Sequence, residues 1–445
     1  MIRNFTFLCV TMTVSVMFFM ACDRQDGSTE TPSEETEPSP VVSPEGNIEN
    51  DIVYAYMQCG PYEKFGAKTW FKDPTVRATA DVYNWKNDGP KGITVKWDTK
   101  TDVSVSLSTG NETVWKDRAE ASTSYTFTGL IPGVDYGYTV TSASGTVLKS
   151  GSFTPTGQVR MMKIPGSWNW RDIGGWSGLG GKPIRYGWIY RGGSLNGTFI
   201  GEDKTADVYD QAKYIWTEEA QKVCDFLGIK AELDLRGDPE DLGMYGDEYD
   251  PHSGTLRHCQ IEGAEFIHIM TDYGLYHCTE RSSLIQDVAW TILQLKQGHP
   301  VAIHCKSGAD RTGAVIGLIE GVLGVSESDL ARDYELTSIS TELQTRNVRY
   351  ASEAASYRTP YFFSKKAGIF SLEGDSLHEQ CYRYLNSYFD DVHINADDLD
   401  WFIGFMLDWE GFKRPSYAVN YENNSLDTVI SITTGSGDHT YNNTI

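Results

Sequence analysis

Cys305 and Arg311 stand six residues apart in the string Val301-Ala302-Ile303-His304-Cys305-Lys306-Ser307-Gly308-Ala309-Asp310-Arg311-Thr312-Gly313. An apolar run leads in and a second, Thr312 to Leu323, leads out, so a buried strand, a tight loop and a helix are expected in that order. Backbone N–H groups of such a loop converge at the helix N-terminus, a point that suits a doubly charged phosphate. The same field favours an anionic sulfur, which makes Cys305 the nucleophile. The planar fork of Arg311 can hold two phosphate oxygens and follow them into the transition state. Lys306, Ser307, Gly308, Ala309, Asp310 and Arg311 form the expected phosphate cradle, with Gly308 turning the backbone without a side chain in the anion's way. The Thr312 hydroxyl is placed to hydrogen-bond the sulfur and help it leave. The chemistry implied is phosphoryl transfer through a cysteinyl-phosphate, with no metal and no cofactor.

The full string His-Cys-x-x-Gly-x-Asp-Arg-Thr-Gly resembles the nucleophile loop of the protein tyrosine phosphatase superfamily. More narrowly, it is similar to the atypical bacterial branch whose loop reads His-Cys-x-x-Gly-Lys-Asp-Arg-Thr-Gly and whose members act on phosphotyrosine and sometimes phosphoinositides. Arg171-Asp172-Ile173-Gly174-Gly175, Tyr190-Arg191-Gly192-Gly193-Ser194-Leu195, Asp234-Leu235-Arg236 and Asp333-Tyr334-Glu335-Leu336-Thr337 are similar to further landmarks of that branch. The resemblance spans roughly residues 160 to 410. It implies that Arg171, Asp172, Arg191, Asp234 and Arg236 lie at the rim of the site or just behind it. It leaves two residues for the general acid: Asp272, after an expected strand, and Asp310, inside the loop. Ala309 stands where the branch carries Lys, while Lys306 places a positive charge directly after the nucleophile, a departure that turns the expectation away from lipid headgroups. The expected substrate is a phosphotyrosine protein; inositol phosphates such as phytate and phosphoinositides are the alternatives on the same site. A different class, a tethered pseudo-phosphatase that binds a phosphorylated ligand without turnover, is opposed by the intact Cys305, Arg311 and Thr312.

The elements that must position these residues are also legible. Glu218 to Leu227 has a helical pattern ending at Gly228, Ile229 to Leu235 and Glu265 to Met270 read as buried strands, and Leu284, Val288, Ile292 and Leu295 share a helical face. Helix and strand alternating in this way imply an α/β domain over 160–415, with a mainly parallel sheet covered by helices. His304 is expected behind the loop rather than as a base. Before this domain, residues 51–155 carry short alternating runs separated by Gly and Asn, the pattern of an all-β sandwich. The stretch Leu130-Ile131-Pro132-Gly133-Val134-Asp135-Tyr136 is similar to the tyrosine corner of fibronectin type III domains. A spacer or docking role is the expectation there.

The two ends of the chain read differently. Arg3, then an uncharged run from Phe5 to Ala21, then Cys22, resembles a lipoprotein signal over residues 1–22 with Cys22 as the acylated residue. Residues 23–50 are rich in Ser, Thr, Pro and Glu and read as an acidic tether, so the chain is expected to be exported and anchored to a membrane through its lipid alone, on the periplasmic or the cell-surface side. Residues 416–445 read as a polar tail. The chain of 445 residues carries 38 Lys+Arg against 61 Asp+Glu, a net charge of −23. Such a surface repels nucleic acid at long range and requires any phosphate pocket to be a local positive island. Cys59, Cys224, Cys259, Cys278 and Cys381 show no Cys-x-x-Cys pair of the kind that zinc sites use; export would let them form disulfides that sequence cannot pair.

Overall fold

The computed structural model of this chain describes residues 39–59, 73–82, 89–193, 195, 217–236, 249–250, 255–256, 261–269, 271, 281–305, 308–339, 372–389, 392–421 and 426–429. The expected leader, Cys22 and most of the tether lie outside the described residues, as do Lys306, Ser307 and Asp272. Among the described residues no helix is long and apolar enough to cross a membrane.

Order begins earlier than the tether expected over 23–50 would allow. Asn47, Ile48, Glu49 and Asn50 are buried. Glu49 Oε1 accepts hydrogen bonds from the backbone N–H of Gln158 and Val159, both at 2.8 Å. Asn50 caps the helix α1 (Asp51–Met57), its side chain accepting from the Val53 amide. Asp73 does the same for α2 (Pro74–Val82), accepting from Thr75 N–H at 2.8 Å. These helices place Ile52, Val53, Tyr56, Val76 and Ala80 in the core shared with the α/β sheet. Residue 51 therefore does not open a β domain, as its composition suggested, but a helical segment packed into the core of the α/β sheet.

The all-β sandwich expected here is, among the described residues, a single four-stranded antiparallel sheet. Its strands are β1 (Ile93–Thr109), β2 (Glu112–Phe127), β3 (Tyr136–Ser142) and β4 (Val147–Phe153), in the order β2-β1-β3-β4. The alternating runs Thr94–Trp97 and Val103–Leu107, which read as two short strands, are joined in β1, which runs unbroken. Residues 98–102 contain no Gly, Pro or Asn, so the chain stays extended and absorbs the polar stretch as register shifts against β2. The turn comes at Gly110-Asn111, with Gly110 at φ +56° between the paired Thr109 and Glu112. Val95, Trp97, Val103, Val105 and Leu107 are buried on β1. A helix rather than a second sheet packs against this core, through Phe226, whose ring meets Trp115 edge-on at 5.2 Å. The tyrosine brace is present locally: Tyr136 is buried and its hydroxyl accepts from Ile131 N–H at 3.1 Å.

The second sheet comprises β5 (Arg171–Asp172), β6 (Ile189–Gly192), β7 (Ala231–Asp234), β10 (Glu265–His268) and β11 (Val301–His304), while β8 (Tyr249–Asp250) and β9 (Thr255–Leu256) form a separate two-stranded ribbon. Its strand order is β10-β7-β11-β6-β5. All pairs are parallel except β5 with β6. The faces follow strand alternation. Ile189, Leu233, Val301 and Ile303 meet α4 (Arg281–Lys296) and α5 (Asp310–Val322), whereas Tyr190 and Ala302 meet α3 (Glu218–Leu227). Helices on both faces bury the central β11 completely and aim its carboxyl end at a helix N-terminus, where open α/β sheets bind ligands.

The remaining helices are α6 (Glu327–Leu336), α7 (Leu377–Asn386), α8 (Ala396–Met406) and α9 (Leu426–Val429). The last contradicts a purely polar tail over 416–445, because Leu426 and Val429 are buried in the main core. Cys59, Cys224, Cys305 and Cys381 carry thiols rather than disulfides; Cys259 and Cys278 lie outside the described residues.

Candidate active site

Cys305 follows the last residue of β11 and is 3% exposed. Ala309, Asp310, Arg311 and Thr312 are likewise buried at the start of α5. The helices α1, α3, α6 and α7 are capped by the side chains of Asn50, Thr217, Ser326 and Ser376. At α5 the cap residue is Ala309, which has no side-chain acceptor to offer the first turn. The helix dipole there favours an anion.

Close backbone approach fixes the loop in place. Gly308 has φ +64°, and a Cβ on it would fall 2.3 Å from the carbonyl carbon and oxygen of Gly192. Gly192 in turn lies against Trp170, where its own Cβ would come within 2.1 Å of the indole. Gly308 thus rests directly on the end of β6, with glycine on both sides of the contact.

The arginines expected at the rim or just behind it are all behind it. Arg171, Arg191 and Arg236 are 1–2% exposed. Arg171 Nε donates to Asp333 Oδ1 at 2.9 Å, and Arg191 Nη1 pairs with Asp333 Oδ2. Arg191 Nη2 then donates to the Gly308 carbonyl at 3.0 Å, which Asn169 Nδ2 also reaches at 3.1 Å. Asn169 adopts φ +59°, a conformation that Asn tolerates through local hydrogen bonds, and its Oδ1 accepts from Arg171 at 2.8 Å. Arg171, Arg191, Asn169 and Asp333 therefore form one buried bracket that holds the loop by the Gly308 carbonyl. Burial alone would raise the Asp333 carboxyl; Arg171 and Arg191 outweigh it and hold it below the ordinary carboxylate range. Glu320 of α5 lies in the field of the same groups, and burial followed by the Asp333 charge holds it well above that range.

Asp234 and Arg236 form a second brace. The Arg236 guanidinium chelates Asp234, with Nη2 to Oδ2 at 2.6 Å. Burial raises the Asp234 carboxyl, but Arg236, with His304 and His268, brings it net below its ordinary value. Leu235, between them, offers its carbonyl to Arg311 Nη1 at 3.4 Å. His304 is fully buried and bonds Glu232 Oε1 through Nε2 at 3.0 Å, behind the loop as expected. Asp172 lies apart from these groups: it pairs with Arg160 at 2.8 Å and accepts from the backbone N–H of Gly174 and Gly187.

Asp310 opens α5 and accepts a hydrogen bond from the Tyr334 hydroxyl at 3.0 Å. Thr312 is fully buried, and its hydroxyl makes no hydrogen bond among the described residues, so the expected bond to the Cys305 sulfur is not formed in this structure. Three participants had no role assigned from sequence: Asn169, Asp333 and Tyr334. Asp333 and Tyr334 sit inside a string that resembled a family landmark and Asn169 stands two residues before one, and that placement was the only signal available for them.

A sequence model of the tyrosine phosphatase family matches residues 162–405, more than half of the chain. No curated protein matches it.

Proposed function

We propose, from the premise that the chain belongs to the tyrosine phosphatase family, that it hydrolyses phosphotyrosine through a cysteinyl-phosphate on Cys305. The observation that carries this reading is the alignment of three parts. Cys305 directly follows the central strand, Gly308 is seated on Gly192, and α5 begins without a side-chain cap and with Arg311 in its first turn.

The Cys305 thiolate attacks phosphorus while the ester P–O bond breaks. Asp310 gives its proton to the departing aryl oxygen, which makes it the general acid of choice over Asp272. Its position in the loop and its bond from Tyr334 support this assignment. Loop N–H groups, Arg311 and the helix terminus stabilise the equatorial oxygens, with Lys306 and Ser307 completing the cradle. Water then attacks phosphorus, returns a proton to Asp310 and displaces the sulfur. The orphan Thr312 hydroxyl is a donor available to that leaving thiolate.

The lipoprotein-like leader with Cys22 and the acidic segment after it support an exported, lipid-anchored enzyme. Its substrate would then be a phosphorylated protein or inositol phosphate outside the cytoplasm, reached with no nucleic acid involved.

The test uses residues 23–445 and a Cys305→Ser variant, assayed with chelator present. The panel holds an aryl phosphate, phosphotyrosine and phosphoserine peptides, phosphoinositides and inositol hexakisphosphate. Turnover that survives chelation, favours phosphotyrosine and vanishes in the variant is expected. Preference for an inositol phosphate would move the substrate assignment, and tight phospho-ligand binding without turnover would overturn the enzymatic one.

A further inference from the structure

The family match begins at residue 162, yet the segment 39–59 is built into the same core. Its contacts converge on one helix of the site. The Tyr56 hydroxyl donates to the backbone carbonyl of Arg332 at 2.9 Å. The Arg332 guanidinium returns two bonds, from Nη1 to the Met57 carbonyl at 3.1 Å and from Nη2 to the Cys59 carbonyl at 2.9 Å. It also lies 5.8 Å from the centre of the Tyr56 ring. These carbonyls are at the C-terminal end of α1, where the helix dipole favours a cation. The other end of the segment is tied down by Glu49 on Gln158 and Val159.

Arg332 is followed by the two residues of α6 that reach the site. Successive helical residues point about 100° apart, so three neighbours address three directions. Arg332 grips the N-terminal segment, Asp333 holds Arg171 and Arg191, and Tyr334 holds Asp310. Arg191 completes the line by bonding the Gly308 carbonyl. A shift of α6 would move the loop bracket and the Asp310 partner together.

We infer that residues 39–59 are a positioning strap for the nucleophile loop, acting through Arg332 on α6. Tyr56 and Arg332 are its positioning residues. This rests on the phosphatase reading above, and deepens it by assigning a catalytic duty to a segment outside the family-matched region.

The experiment compares Arg332→Ala, Arg332→Lys and Tyr56→Phe in the full folded chain with the parent. Three readouts are taken: aryl phosphate kinetics, tungstate binding by calorimetry, and amide hydrogen exchange of residues 305–313. Arg383→Ala, which breaks an exposed pair with Glu379 on α7, is the control expected to match the parent. Arg332→Ala should lower kcat about tenfold, weaken tungstate to a similar degree and leave KM within about twofold, since ångström-scale misplacement of reacting groups acts on the transition state. Arg332→Lys, able to reach one carbonyl in place of two, should recover part of the loss. Tyr56→Phe should lower kcat about two- to threefold with faster exchange at 308–313.

Values of kcat and tungstate affinity for Arg332→Ala within twofold of the parent, in a protein that melts cooperatively, would overturn the strap. If Arg332→Ala does not fold, Tyr56→Phe decides: unchanged kcat and exchange would sink the inference. If the parent itself releases no phosphate, the enzymatic reading fails separately. Exchange at 305–313 in the variants then tests the strap alone, faster exchange supporting it and unchanged exchange refuting it.

Discussion

Asp333 and Glu320 face the same two arginines with opposite electrostatic consequences, and exchanging each for its amide should reveal this. Asp333→Asn leaves the guanidinium groups of Arg171 and Arg191 buried together without their paired carboxylate; all three side chains are at most 2% exposed. Removing one partner of a buried ion pair costs about 3–5 kcal/mol, and a melt lowered by roughly 10 °C is the corresponding shift for a domain of this size. Glu320 differs because its carboxyl is held well above the ordinary range, by burial first and by Asp333 second, against the pull of Arg191 and Arg171. It is therefore neutral where Asp333 is ionised. Glu320→Gln replaces a neutral acid by a neutral amide and should change stability by under about 1 kcal/mol at pH 6.

The double variant carries the argument. Without the Asp333 charge, Glu320 ionises more readily and becomes the carboxylate that the arginines lack. Glu320→Gln should then be costly in the Asp333→Asn background although it was harmless alone, with a coupling energy of about 1–3 kcal/mol. The pH dependence supplies a second check. Asp333, depressed in the fold, contributes stability that is complete above its unfolded value near about 3.9 and is lost as pH falls through the folded value. Glu320, raised in the fold, contributes stability that is complete below its unfolded value near about 4.3 and is lost as pH rises through the folded value. Urea titrations of the four proteins from pH 3 to pH 9 measure both. Additive free energies, or a Glu320→Gln variant that loses as much as Asp333→Asn at pH 6, would refute the assignment of charge within the bracket.

Other consequences are open to simpler assays. Gly308→Ala should reduce turnover about a hundredfold, because the added methyl meets Gly192 backbone at 2.3 Å and the loop must move; turnover near parental would mean that the loop is not seated as described. Tyr334→Phe should lower kcat about three- to tenfold with KM unchanged, the loss growing with the basicity of the leaving group, since the partner of Asp310 is removed. The single proton of the Thr271 hydroxyl is shared between the Ile269 carbonyl at 3.1 Å and Asp287 at 3.2 Å. Burial raises the Asp287 carboxyl well above its usual value, so Asp287→Asn should abolish a decline in stability as pH rises from about 4 through that raised value, read by melts in buffers of increasing pH. Because the chain carries a net charge of −23, kcat/KM for a dianionic aryl phosphate should rise as salt screens the repulsion; a fall would place a dominant positive patch at the mouth of the site.

The strand, the Gly308 turn and the helix around Cys305 were legible because they are contiguous. Strand, cysteine, glycine turn and helix follow one another within a single string, and local geometry does the rest. The bracket was not, because Asn169, Arg191 and Asp333 meet only after the sheet has formed; Arg171 and Asp333 are 162 positions apart. Asp-Tyr in the middle of an amphipathic helix carries no sign of which strand its side chains will reach. The strap was misread for a related reason. Ser, Asn, Glu and Pro before residue 51 have the composition of a tether, but Asn50 is a helix cap and Glu49 an acceptor for two backbone amides. Polar residues engaged in capping look, in composition, like polar residues in solvent. In β1 the missing signal was a turn former: polar residues 98–102 suggested a break, and the backbone had no residue with which to make one.

The arginines behind the loop also bear on how an acidic protein holds a phosphate. Arg160 and Arg236 are each paired with a carboxylate of their own, Arg171 and Arg191 share that of Asp333, and all four are at most 4% exposed. Arg160 and Arg236 therefore contribute little field beyond their own contacts, while Arg171 and Arg191 leave one positive charge in excess behind the loop; what all four supply is fixed geometry. To that excess are added the groups nearest a bound dianion, namely the first turn of α5, the loop amides and Arg311. An oriented amide is a weak source in water and a strong one where water is excluded, so this arrangement acts on a phosphate already seated and scarcely on one approaching. Such a field discriminates by fit. It rewards a phosphate placed in line with Cys305, where the donors converge, and gives little to an anion held elsewhere on the surface. Such geometry suits the stabilisation of a transition state, and the bracket, which holds the loop by the Gly308 carbonyl, fixes that geometry.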